Sequence, residues 1–95
     1  MTVYRPSTKH LYSEINSEAV LLDTESGTYF GLNDVSNQIW QWLQTPSNEQ
    51  RLLELLLEEY DVAESEARAD LQSLLKDLAH NGLIEAVEEQ AVQVS

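Results

Sequence analysis

A β-hairpin followed by the start of a helix is predicted by the segment 19–33, AVLLDTESGTYFGLN. The turn at 23–27 ends in Gly27, which suits a type I turn closed by a residue with positive φ. The flanking segments 19–22 and 28–32 are apolar, β-branched or aromatic, as strands prefer. Because a lone hairpin is only marginally stable, the rest of the chain must cover one of its faces.

The second strand of this hairpin is the candidate binding surface. Alternation along a strand sends Phe30 and Leu32 to one face, which we expect to be core, and Tyr29 and Gly31 to the other. Gly31 has no side chain, so it leaves room for the close approach of another backbone. If this strand lies at a sheet edge, its unpaired N–H and C=O groups can take in an extended peptide.

Three helices are predicted after the hairpin, because apolar residues recur at spacings of three and four. The first begins at Asn33, a good N-cap, and ends before a Thr-Pro pair. The second covers 49–60 and the third 64–81, with Gly82 just past the C-cap. A weaker strand at 9–15 precedes the hairpin. Strands followed by helices predict an α+β fold with a three-stranded antiparallel sheet and three helices.

The ends of the chain are predicted to lie outside this domain. Residues 1–8 contain Pro6 and are expected to form a flexible N-terminus. The domain is predicted to cover 9–87, in which 84–87 either add a short strand or simply pack. Residues 88–95 are expected to form a flexible acidic tail.

The charge of the chain excludes some partners. Its 95 residues include five Lys plus Arg against 17 Asp plus Glu, a formal net charge of −12. Phosphate backbones and anionic membranes repel such a domain, so neither nucleic acid nor a membrane is an expected partner. The acidic surface either favours solubility or attracts a basic partner. With no cysteine, no signal peptide and no apolar run long enough to span a bilayer, a cytoplasmic protein is predicted.

No catalytic or metal-binding pattern is found. His10 and His80 lie in separate predicted elements, whereas a metal site needs three or four converging ligands. The three glycines form no phosphate-binding motif. The sequence therefore predicts a protein that is not an enzyme and that uses no metal or cofactor.

The last predicted helix carries two stripes of interest. The core stripe is predicted to consist of Ala67, Leu71, Leu74 and Leu78. A neighbouring stripe combines Leu75 with the cations Arg68 and Lys76, and with Gln72 and Ala79. This second stripe is either a boundary between core and solvent, or one side of a groove. In a groove, Leu75 would hold an apolar side chain of a peptide and the cations an adjacent acidic residue.

These residues resemble the PqqD-like family, the peptide-recognition elements of pathways that make and modify ribosomal peptides. The resemblance covers about residues 11–87, and its most specific part is the Tyr-Phe-Gly-Leu-Asn stretch after the hairpin turn. The segments that carry it are AVLLD at 19–23, GTYFGLN at 27–33, IW at 39–40, YDV at 60–62 and NGLI at 81–84.

The resemblance implies a winged-helix-like domain. In the family, the leader region of a precursor peptide adds as an extra strand in the cleft between the third strand and the third helix. Carried over, the strand is 28–32 and the helix is 65–81. The expected peptide-binding residues are Thr28, Tyr29, Phe30, Gly31, Leu32, Arg68, Leu71, Gln72, Leu75 and Lys76.

Among PqqD-like proteins, the chain looks most like the stand-alone recognition protein of lasso-peptide biosynthesis. The resemblance then implies that it hands a leader peptide to a leader peptidase and then to a cyclase. The alternatives are a PqqD-type peptide chaperone for a radical-enzyme pathway, a scaffold without a peptide ligand, and a winged-helix DNA-binding domain, which the net charge disfavours. An open strand edge would also allow a homodimer.

Overall fold

The computed structural model describes residues 2–8, 10–16 and 18–88. The strands β2, β3 and β4 form one antiparallel sheet, and β1 pairs with β5 in a second. The predicted α+β fold, a three-stranded antiparallel sheet with three helices, is confirmed. In chain order, the elements are β1 (Thr2–Pro6), β2 (His10–Ile15), β3 (Glu18–Asp23), β4 (Tyr29–Leu32), α1 (Asp34–Trp42), α2 (Glu49–Glu59), α3 (Glu64–His80) and β5 (Ile84–Glu88).

The turn between β3 and β4 has the predicted conformation. The Asp23 carboxylate accepts a hydrogen bond from the Glu25 N–H at 2.8 Å, and the Asp23 main-chain oxygen accepts one from the Gly27 N–H at 2.8 Å. Gly27 has a φ of +75°, which a glycine adopts without a steric penalty. The turn fixes the register of β4, so that Leu32 is buried and Phe30 packs against the core.

The core lies between the β2–β3–β4 sheet and the helices. Its fully buried side chains come from the central strand and from all three helices, and include Leu21, Trp40, Leu52 and Leu71. Burying a residue of this size contributes about 1.5–3 kcal/mol. The sheet and the helices are therefore held as one body, which keeps β4 and α3 in a fixed relation.

Helix caps set the ends of the helices that flank β4. Asn33 accepts a hydrogen bond from the Ser36 N–H at 2.8 Å, and the Ser36 hydroxyl accepts one from the Asn33 N–H at 2.8 Å. This capping box starts α1 directly after β4. At the end of α3, Gly82 has a φ of +73°, and the Leu83 N–H donates to the Leu78 oxygen at 2.9 Å. That is a Schellman motif, and it agrees with the predicted role of Gly82.

The strands β1 and β5 correct the predicted domain limits. The flexible N-terminus predicted for residues 1–8 is wrong for Thr2–Pro6, which pairs along its whole length with Ile84–Glu88. Tyr4 also exchanges main-chain hydrogen bonds of 2.8 and 3.1 Å with Ser47, and Val3 is buried. The ladder is anchored to the domain because Val3 is buried and Tyr4 packs against the core. Apart from its first residue, the tail predicted at 88–95 lies outside the described residues.

Candidate functional site

A cleft of about 510 Å³ lies between β4 and α3. Its strand side is formed by Phe30 and Gly31, and α3 forms the opposite side. Residues of α1 and α2 contribute to the rest of its lining. The cleft is lined by Phe30, Gly31, Asn33, Val35, Ser36, Ile39, Leu56, Ala67, Asp70, Leu71, Ser73, Leu74 and Asp77.

The outer edge of β4 is open in the part of the chain that the structure describes, since only β3 pairs with this strand. The Asp23 N–H donates to the Thr28 oxygen at 2.9 Å. Because antiparallel pairs alternate, Phe30 also directs its main-chain groups to β3, whereas Tyr29 and Gly31 direct theirs outward. The position of a Cβ on Gly31 would meet no atom within 4 Å. The strand therefore offers main-chain donors and acceptors in open space.

The face of α3 in the cleft carries an apolar residue between two acidic ones. Leu74 is half-buried, and Ala67 and Leu71 are buried on the same face. Asp70 lies one turn before Leu74, and Asp77 lies three residues after it. Both aspartates are exposed, and neither takes part in a salt bridge within the described ranges. This side of the cleft is apolar at its centre and negative along its rim.

The second stripe predicted on α3 does not line the cleft. The Gln72 amide donates to the Glu49 carboxylate at 2.9 Å, and the Arg68 guanidinium lies 4.0 Å from the same carboxylate. These two side chains therefore face the start of α2. Leu75 is only 3% exposed and belongs to the core. Leu74, which was predicted to be core, packs against the core but is only half-buried and also lines the cleft. The prediction that Leu75 lines a groove is wrong, because this side chain is buried in the core.

The other predicted binding residues separate into two groups. Those that line the cleft are Phe30, Gly31 and Leu71. Tyr29 is 65% exposed and lies with Thr28 beside a smaller cavity of about 30 Å³. Leu32 ends β4, is buried and contributes to the lining of a second cavity, whereas Lys76 is exposed on α3 and lines none of the cavities. The cleft therefore combines the predicted strand, β4, with a face of α3 other than the one predicted.

A second cavity, also of about 510 Å³, adjoins the cleft. The two cavities are adjacent at the end of β4, where Gly31 and Asn33 belong to both linings. Three carboxylates line this second cavity, from Glu14, Glu18 and Asp34. Sequence reasoning missed these residues because they come from β2, β3 and α1, which only the fold brings together.

The two histidines lie in different elements of the structure. The His10 ring packs edge-on against the Trp40 ring, with centroids 4.9 Å apart, while His80 ends α3. Within residues 2–8, 10–16 and 18–88, no three His, Cys, Asp or Glu side chains are grouped so that they could hold a metal ion. No helix in those ranges is long and apolar enough to cross a membrane.

Two solved structures are similar to this chain. One is described as TbiB1 in complex with the TbiA(beta) leader peptide, with 30% identity and a TM-score of 0.77, covering 90% of this chain and 99% of that one. The other is described as lasso peptide synthetase B1 complexed with the leader peptide, with 29% identity and a TM-score of 0.75, covering 90% of this chain and 98% of that one.

Comparison of sequences gives the family. No curated protein matches the chain. The family described as coenzyme PQQ synthesis protein D (PqqD) matches residues 18–84, which is more than half of the chain. The matched range contains β3, β4 and all three helices, and so includes both sides of the cleft. On this match, the chain belongs to the PqqD family.

Proposed function

We propose that this protein binds the leader region of a ribosomally made precursor peptide and catalyses no reaction on it. The observation that carries the proposal is the open edge of β4 beside the cleft. Two similar structures, at 30% and 29% identity, are complexes with leader peptides, and this supports the same kind of ligand here.

The leader would bind as an added strand. Its main chain would hydrogen-bond to Tyr29 and Gly31, whose N–H and C=O groups point away from β3. Alternate side chains of an added strand point to one face, so every second leader residue would enter the cleft between Phe30 and Leu74. The main-chain bonds would supply affinity for any extended segment, and the cleft would supply selectivity.

The affinity follows from two opposing contributions. Ordering a flexible leader costs about 2–5 kcal/mol of the gross interaction free energy. After this cost, we expect a net binding free energy of about −8 to −12 kcal/mol, which is a dissociation constant in the micromolar to nanomolar range.

We also propose a place for the protein in lasso-peptide biosynthesis, where it would present the bound leader to a leader peptidase and to a cyclase in the cytoplasm. The similarity to lasso peptide synthetase B1 supports this pathway over a radical-enzyme pathway. A second copy of the chain could pair with the same edge of β4, so a homodimer formed in this way would compete with the leader.

A proline scan of the leader tests strand addition. The probe is the leader of a precursor peptide encoded beside this chain, titrated calorimetrically into the full protein. Proline removes a main-chain donor, and only alternate residues of an added strand donate to β4. We therefore expect proline to weaken binding by at least about 10-fold at alternating positions within one short segment, and far less at the positions between them.

Alanine at each scanned position is the matched control, because it removes the side chain and keeps the N–H. Strand addition would be refuted by a leader that binds while proline weakens it no more than alanine at every position.

A further inference from the structure

The charges of the cleft indicate which peptides it selects. We propose that the preferred leader segment is basic, with an apolar residue for the cleft flanked by Lys or Arg. This inference rests on the proposed function, since it describes the chemistry of the peptide that β4 and α3 would hold. It reverses the charge expected from the sequence, where Arg68 and Lys76 were assigned to the groove.

The first observation is the arrangement of carboxylates on α3. Asp70 and Asp77 lie on either side of Leu74 in the lining of the cleft. With a rise of about 1.5 Å per residue, they are separated by roughly 10 Å along the helix. An extended peptide covers that distance in about three residues. Because alternate residues of an extended peptide share one face, the residues two positions before and after one that contacts Leu74 would point the same way, about 7 Å from it along the strand. Long Lys or Arg side chains at those positions would be within reach of Asp70 or Asp77.

The second observation is that the negative character continues beyond the cleft. The adjoining cavity adds Glu14, Glu18 and Asp34, and neither cavity is lined by a Lys or Arg of the described residues. A peptide paired with β4 would approach Asp34, which begins α1 directly after this strand, whereas Glu14 and Glu18 lie on β2 and β3, on the other side of β4 from the open edge. These carboxylates add to the negative potential at this end of the site.

The third observation is that two of the five cations of the protein, Arg5 and Arg68, are engaged on other surfaces. Arg68 contacts Glu64 at 2.9 Å on the face of α3 toward α2, and Arg5 contacts Glu85 at 3.1 Å on the β1–β5 sheet. The carboxylates of Asp70 and Asp77 have no such partner within residues 2–8, 10–16 and 18–88. They are therefore available to a ligand.

A depression lined by charge of one sign raises the local concentration of oppositely charged ligands and disfavours those of like charge. Electrostatic selection of this kind mainly raises the association rate of the favoured peptide and disfavours binding of acidic peptides. The effect weakens as salt is added. The main-chain hydrogen bonds of strand addition do not depend on the charge of the peptide. The contribution of charge to affinity can therefore be measured separately from that of strand addition.

The experiment uses a phage-displayed library of random 12-residue peptides selected on the full chain at low salt. We expect the enriched peptides to place Lys or Arg two residues from an apolar residue, on one or both sides of it. One enriched peptide is then synthesised, and its affinity is measured for the wild type, for Asp70→Asn/Asp77→Asn, and for Glu58→Gln/Glu59→Gln. The last variant is the control, because it removes the same charge from exposed positions of α2 outside the cavities.

We expect the Asp70→Asn/Asp77→Asn variant to bind this peptide about 3- to 10-fold more weakly and the control to bind within about 2-fold of the wild type. Enriched peptides without a preference for Lys or Arg would overturn the inference and leave strand addition standing. Equal weakening in the two variants would also overturn it, because net charge would then explain the effect. A library that yields no binder at all would contradict the proposed function itself.

Discussion

Leu74→Asp is expected to weaken leader binding by at least about 100-fold while the protein stays folded. Leu74 is half-buried on the face of α3 that lines the cleft, where an apolar side chain of the peptide would contact it. The change removes an apolar contact of about 1.5–3 kcal/mol. It also places a carboxylate that is costly to desolvate where the peptide must pack. Calorimetric titration with the leader measures the loss, and circular dichroism checks the fold.

Ala69→Asp is the matched control for Leu74→Asp. Ala69 is exposed on α3 and does not line the cleft, so this variant gains the same charge outside the site. It should bind the leader within about 3-fold of the wild type, the effect of an exposed charge. If Leu74→Asp also kept nearly full affinity, the cleft between β4 and α3 would not be the binding site.

Leu75→Ala is expected to lower the free energy of unfolding by about 2–5 kcal/mol, the usual cost of truncating a buried leucine. Leu75 is 3% exposed and packs in the core, although it is the direct neighbour of the cleft residue Leu74. For a domain of this size, the melting temperature should fall by about 4–8 °C for each kcal/mol. Urea unfolding followed by tryptophan fluorescence measures the change.

The folded Leu75→Ala protein should still bind the leader with an affinity close to that of the wild type at a temperature below its transition. Leu74→Ala provides the comparison. Because Leu74 is only half-buried and lines the cleft, its truncation should lower the free energy of unfolding less than Leu75→Ala does and should weaken leader binding more. A Leu75→Ala protein with unchanged stability and lost binding would restore the groove predicted from the sequence.

Local signals explain why much of the fold could be predicted. The turn before β4 depends on Asp23 and Gly27, which act within five residues of each other. The start of α1 at Asn33 and the end of α3 at Gly82 likewise depend on residues within a few positions. These features explain why the strand β4 could be predicted from the sequence.

The helix side of the site could not be predicted, because the two possible stripes of α3 are nearly equivalent. Residues 67, 71, 74 and 78 have apolar spacings of three and four, and so do residues 67, 71, 75 and 78. Leu74 and Leu75 differ only in which neighbour they meet, and that is decided by how α3 packs against α2 and β4. This packing also decides which charged residues of α3 lie beside the cleft, the aspartates Asp70 and Asp77 rather than Arg68 and Lys76.

Long-range pairing explains the missed N-terminal strand. Thr2–Pro6 begins with three residues that favour strands, but it is short, lies at the end of the chain and ends in a proline. It becomes a strand because Ile84–Glu88, some 80 residues away, provides a partner with complementary register. No local pattern reports such a pairing, so the sequence alone predicts that the N-terminal segment lies outside the domain.

The most direct test of strand addition is amide hydrogen exchange at Tyr29 and Gly31, measured by NMR with and without saturating leader peptide. In the free protein, these two N–H groups point to open space, whereas that of Phe30 is directed to β3. We expect the leader to slow exchange at Tyr29 and Gly31 by at least about 10-fold relative to the change at Phe30. Unchanged exchange at both residues in a saturated complex would contradict binding at the edge of β4.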